Sequence, residues 1–221
     1  MSALDIIWSH RQEFQRGLQV TLQLCLIIWS IGILTGVVIG VAGARWKTAI
    51  GLPSRAVSFV LSGVPVLVFL FWLYYPLQYA LGVDIKPFNT AAAALSIVNT
   101  FLVADVIRGV LLEFPDQYLM AARVCGLSSR ETILRIQLPI IARQVLPSLL
   151  FIQVGMLQAT LFASLISVEE IFRVAQRVNS EVYRPIQIYT ALAFFFLMIC
   201  LPLHGLAHYL KNRYTRNLSE R

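Results

Sequence analysis

The sequence predicts an all-α, polytopic membrane protein with five transmembrane helices. Three observations predict it. Of 221 residues, 58% are hydrophobic and 13% charged, where a soluble domain carries about a quarter charged. Five stretches lack Asp, Glu, Lys and Arg for about the 20 residues that a helix needs to cross the hydrocarbon of a bilayer. The Lys and Arg residues outside those stretches fall mainly on one side.

The five spans run over about 17–44, 56–83, 87–107, 144–168 and 185–210. The first carries Gly32, Gly36, Gly40 and Ala44 at four-residue spacing, a stripe that lets another backbone approach closely. Ordinary helix packing and movement between conformations both use such a stripe. The third span is charge-free from 87 to 104 and is extended through Asp105. Residues 1–16 hold Asp5, Arg11, Glu13 and Arg16 and lack a signal-peptide pattern, so insertion is expected to use the first span itself.

Charge sets the orientation. With the N-terminal segment 1–16 outside, twelve Lys and Arg fall in the inner loops and the inner 211–221 tail. Six fall outside (Arg11, Arg16, Lys86, Arg173, Arg177 and Arg184), which completes the 18. The positive-inside rule therefore favours an outer N-terminus and an inner C-terminus. The net charge of +7 is this asymmetry and calls for no nucleic acid. Cys25, Cys125 and Cys200 form no metal or redox pattern and read as buried small hydrophobes.

The inner loop 113–143 is too long for a plain turn. It divides at Gly126, which suits a left-handed turn between two short helices. Ser128 and Glu131 have the spacing of a capping box that opens the second helix. Ile133, Ile136 and Ile140 form its apolar face, with Arg130 and Arg135 elsewhere. Pro139 is expected to bend or end it. Such a hairpin either docks a cytoplasmic partner or rests on the headgroups.

Polar groups within spans are costly and mark pathways. The candidates are Ser62, Asn99, Thr100, Asp105, Gln153, Gln158, Thr160, Ser164, Ser167, Glu169 and Glu170. Asp105 is placed to pair with Arg108. Thr160 and Ser164 share a helix face, with Gln158 displaced around the axis. Trp72, Tyr74, Tyr75 and Tyr79 read as an interfacial belt rather than an aromatic cage. His204 and His208 are spaced for a metal but have no third ligand nearby, so packing is the preferred reading. No nucleophile–base pair, selectivity filter or Gly-x-x-x-x-Gly-Lys-Ser/Thr loop is present. An intramembrane enzyme and a channel are the alternatives from other classes, and neither has its residues here.

Ala121-Ala122-x-x-x-Gly126, nine further residues and Ile136-x-Leu138-Pro139 resemble the EAA loop of permeases of binding-protein-dependent ABC importers. Met120 stands where that family usually has Glu. The likeness extends to the polar amino-acid permeases through Gly17 with Val20-Thr21-Leu22, Gly63-x-Pro65, Ile107-Arg108-Gly109, Arg143, Pro147 and Ile166-x-Val168-x-Glu170. The resemblance implies a five-helix type I importer permease in the bacterial inner membrane, N-terminus periplasmic and C-terminus cytoplasmic. It implies import of a polar amino acid or similar small molecule; a substrate outside that class, such as an opine, is the alternative.

The implied partners are a second, identical or homologous permease, two copies of a cytoplasmic ABC ATPase, a periplasmic substrate-binding protein and the lipid bilayer. ATP and Mg would belong to the ATPase, with no cofactor on this chain. Coupling would fall to Met120, Ala121, Ala122, Arg123, Gly126, Ile136, Leu138 and Pro139. The substrate path would involve Ser62, Asn99, Gln158, Thr160, Ser164, Glu169 and Glu170. Ser62, Gln158 and Ala159 stand where the family carries Arg, Lys and Asp. Either this half engages substrate less, or its substrate needs fewer counter-charges.

Overall fold

The first long helix is built around its glycines. The computed structural model describes residues 3–215; Arg216, Glu220 and Arg221, part of the inner tail and the charge count, lie outside the described residues. Helix α1 is Ala3–Ser9 and α2 is Arg11–Arg45. Gly32, Gly36 and Gly40 are buried in α2 against α6, Pro87–Leu112. A Cβ at Gly36 would lie 2.7 Å from the Thr100 carbonyl oxygen, and one at Gly40 would lie 2.8 Å from that of Ala104. Only glycine lets these two backbones approach so closely.

A one-turn π-helical segment, Lys47–Gly51, leads from α2 into α3, Leu52–Gly63. Helices α4, Val66–Tyr74, and α5, Pro76–Leu81, follow. The expected continuous second span is instead a broken pair, bent by 99° between Gly63 and Val66. Pro65 is the cause: it drives Val64 to an extended conformation (φ −102°, ψ 124°), and it has no N–H to continue a helix. The first half also starts earlier than expected, at Leu52, with Pro53 in its first turn, where the missing donor costs nothing.

After α6 come α7, Asp116–Val124, and α8, Ser129–Thr132. A π-helical turn at Ile133–Gln137 joins α8 to α9, Leu138–Ala159, which tightens into a 3₁₀ segment at Thr160–Ile166. Residues Ser129–Ile166 thus form one unbroken run of 38 residues. Pro139 does not end it. In the π turn the Leu138 N–H donates to the Ile133 carbonyl, five residues back, and the wider turn accommodates a proline ring in the next position.

Helix α10, Ile171–Val182, and α11, Pro185–Thr215, complete the described residues. Helix α10 was not anticipated in the outer loop. Its Ile171, Val174, Ala175 and Val178 are buried, which is helical spacing for one apolar face.

The main core joins Leu24 and Ile28 of α2, Leu70 of α4, Leu95 of α6 and Met156 of α9. A polar knot crosses the bundle beside it. Asn99 Nδ2 donates to the Ile28 carbonyl at 2.9 Å and to Gln153 Oε1 at 3.0 Å, and Gln153 Nε2 donates to Asn99 Oδ1 at 3.1 Å. Cys25 and Cys200 are buried as expected, but Cys125 is exposed, because it caps the end of α7 on the surface hairpin. The His204 ring packs on Phe151, and no group of three metal-ligating side chains occurs among the described residues.

Candidate coupling surface and translocation path

The inner hairpin ends its first helix with a Schellman motif. The Leu127 N–H donates to the Ala122 carbonyl and the Gly126 N–H to that of Arg123, each at 3.0 Å. Gly126 takes φ +71° to allow it. Ser128 then opens the next helix: its Oγ accepts from the Glu131 N–H at 3.3 Å, and its own N–H donates to Glu131 Oε2 at 3.1 Å. The Ser128 hydrogen bonds hold the Glu131 carboxyl below its ordinary range. A helix stop and a helix start placed back to back leave the turn little freedom.

This turn displays an apolar crest. Val124 is 89% exposed and Met120 60%, while Ala121 and Arg123 beside them are also exposed. Ala122 is buried and anchors the helix. On the second helix Ile133, Leu134 and Leu138 are about half exposed, and Ile136, Pro139 and Ile140 are partly covered. Apolar side chains presented together at a water-facing end mark an interaction site.

The candidate path residues divide into two groups. Asn99, Thr160, Ser164 and Glu170 are fully buried within the chain. The Thr160 and Ser164 hydroxyls each donate at 2.7 Å to a carbonyl three residues back, those of Leu157 and Leu161. Glu170 caps α10, accepting from the Phe172 N–H at 2.9 Å and the Arg173 N–H at 2.8 Å. Burial pushes its carboxyl up to about 7, against those two donors. Ser62, Gln158 and Glu169 are exposed. Glu169 is held by Arg177 at 2.5 Å, and Arg177 reaches Glu13 at 3.0 Å. This network joins segments 164 residues apart, and no local sequence signal gives it.

At the break in the second span lies a cavity of about 270 Å³. Ser58, Ser62, Pro65, Val98, Phe101 and Met156 are among its lining residues. None of the lining side chains is ionisable. Ser62 Oγ donates to the Ser58 carbonyl at 2.8 Å. Ser58 in turn donates to Asp105, which Arg108 holds at 2.5 Å; the expected Asp105–Arg108 pair is present.

Comparison with known proteins assigns the family. Residues 32–216 match the family of binding-protein-dependent transport system inner membrane components. The octopine transport system permease protein OccM of Rhizobium radiobacter is 29% identical, over 87% of this chain and 82% of that protein. The glutamine transport system permease protein GlnP of Escherichia coli K12 is 28% identical, over 94% and 95%. A crystal structure of an amino acid ABC transporter with histidines superimposes with a TM-score of 0.82 at 25% identity, covering 96% of this chain and 99% of that one. The MetNI methionine ABC transporter in an inward-facing form shares the fold, with a TM-score of 0.66 at 16% identity. Four long apolar helices and one bent pair among the described residues, a surface hairpin with an apolar crest and a match over most of the chain agree: this protein belongs to the inner-membrane components of binding-protein-dependent ABC transport systems, the permease subunits that carry no ATPase of their own.

Proposed function

We propose that this chain is the permease half of an importer for a polar amino acid or a close derivative, paired with a second permease. Two cytoplasmic ATPase subunits and a periplasmic binding protein complete the assembly. The observation that carries the reading is the continuity of Ser129–Ile166. It joins the exposed Ile133, Leu134 and Leu138 of the hairpin's second helix, where an ATPase would dock, to Gln158 within the spans. Closure of the nucleotide sites would pull on the hairpin and shift the bundle between inward- and outward-open states. ATP drives such a cycle only through its different affinity for the two states.

The substrate path is assigned to the exposed Ser62, Gln158 and Glu169 and to the cavity at the helix break. The buried Asn99, Thr160, Ser164 and Glu170 would hold its wall in place. A broken span suits a transport site, because each half-helix presents a terminus to the substrate near mid-membrane. The neutral lining supports a second reading, a substrate whose side chain needs no counter-charge here; the octopine relative extends the class to amino-acid derivatives.

The test is uptake by the reconstituted complex, with substrate-stimulated ATP hydrolysis measured alongside. S62A and Q158A are each expected to lower uptake roughly tenfold, the equivalent of one strong hydrogen bond lost, while ATPase co-purification is retained. Full uptake in both variants would remove these residues from the path. Loss of ATPase co-purification from the unmodified chain would overturn the importer itself.

A further inference from the structure

Helix α11 is nearly bare: only 11% of its most apolar window is buried within the chain. Its outer half nonetheless borders a shaped depression. One cavity of about 340 Å³ lies between α1, the start of α2 and α11, with Trp8, Arg11, Phe14 and Leu192 among its walls. A second, of about 580 Å³, lies beside it on α11, lined from Ile186 to Met198. The two adjoin at Ile7, Ala191 and Phe195, and the second gives the trough its length. From Ile186 to Met198 it runs about 18 Å along the helix axis. One leaflet of a bilayer has a hydrocarbon depth of about 15 Å.

The mouth differs from the rest. Trp8 is 73% exposed, as is usual for a tryptophan at the membrane–water boundary. Arg11 lies over its ring, 5.4 Å from the centroid, and donates to the Trp8 carbonyl. Exposed Arg184 sits immediately before α11 on the same outer side. Of the outer acids, Glu13 and Glu169 pair with Arg177, and Glu181 lies within reach of His10. An apolar trough as deep as one leaflet, with a cation at its headgroup end, matches one class of molecule.

We infer that this trough seats one acyl chain of an anionic phospholipid of the outer leaflet, with its phosphate on Arg11. The bound lipid would cover the seam between α1 and α11 and fix the N-terminal helix against the bundle. The seat lies away from both the hairpin and the cavity at the break.

The test uses the full complex in phosphatidylcholine nanodiscs doped with a photoreactive phosphatidylglycerol or, separately, a photoreactive phosphatidylcholine. Labelling of the 186–198 segment is read by peptide mapping. The glycerol lipid is expected to label it roughly fivefold more than the choline lipid, the factor one interfacial arginine contributes. R11Q should bring the two lipids level, R11K should keep the preference, and A191F, which fills the trough, should lower both. Equal labelling in the unmodified protein, or a preference that survives R11Q, overturns the proposal. So does a photoreactive residue at Met198 that captures a second copy of this chain in place of lipid. Uptake measured on the same samples separates failure of this seat from failure of the transport reading.

Discussion

Asn99 and Gln153 face each other across the bundle and exchange two amide hydrogen bonds, while the Ile28 carbonyl accepts a third from Asn99. One buried pair thereby ties together α2, α6 and α9. Both residues are shielded from water, so each is satisfied only by the other and by backbone. N99A or Q153A should lower the stability of the purified protein by about 1–3 kcal/mol, because the remaining amide stays buried without a partner. The double variant should lose less than the sum. Thermal unfolding in detergent reads all three, and strict additivity would mean that the pair does not act as a unit.

The glycines on α2 and α9 are not equivalent. At Gly36 a new Cβ meets backbone oxygen, whereas at Gly155 it meets nothing within 4 Å. G36A should destabilise by about 1–3 kcal/mol through overpacking. G155A should be neutral or slightly stabilising, since alanine is the better helix former. Equal melting temperatures for the two variants would contradict the close approach of α2 and α6.

Val124 and Met120 crown the hairpin. V124D leaves the capping residues Gly126, Ser128 and Glu131 in place, so the hairpin should keep its fold. It should nevertheless reduce the recovered ATPase subunit roughly tenfold, because an ionised carboxylate has to be desolvated in an apolar contact. Quantitative pull-down from membranes checks this. S62A, far from the hairpin, serves as the control and should leave recovery unchanged.

Glu170 gives a pH dependence with a definite sign. Its folded-state value of about 7 lies above the ordinary 4.5. The native state therefore holds the proton more tightly than the unfolded chain between those values. Stability from this group is fully present below about 4.5 and falls as pH rises to about 7, beyond which it is constant. E170Q should flatten that slope while still capping α10 through its amide oxygen. Melting temperature against pH, with and without the substitution, is the measurement; an unchanged slope in E170Q would assign it to another group.

The sequence made several of these features legible for simple reasons. Charge-free length marked the spans. Fixed local spacings gave the glycine stripe, the Schellman glycine Gly126 and the Ser128–Glu131 box, all of which concern neighbours within a turn or two. Features that depend on distant partners were hidden. Asn99 and Gln153 were both visible as polar residues in spans, but nothing local said that each was the other's partner. The break at Gly63–Pro65 was masked because charge and hydropathy are blind to direction: a run of apolar residues looks the same straight or folded by 99°. Pro139 does not end its helix, since the π turn before it, which leaves no mark in composition, carries the chain on. The 12-residue α10 was missed although Ile171, Val174, Ala175 and Val178 carried the period, because the loop was read for its charges.

The pairing of α2 with α6 also bears on how the protein is made. Gly36 packs against Val103, and 67 positions separate them (103 − 36). At about 5–20 residues per second, the ribosome adds that length in roughly 3–13 s. Gly36 leaves the tunnel that long before Val103 does, so for that interval the small-residue face of the first helix is without its neighbour. The bent pair that emerges in between must wait beside it without taking its place. A slow stage of maturation is thus written into the order of the chain, and it should be the stage at which an insertase or chaperone finds the nascent protein.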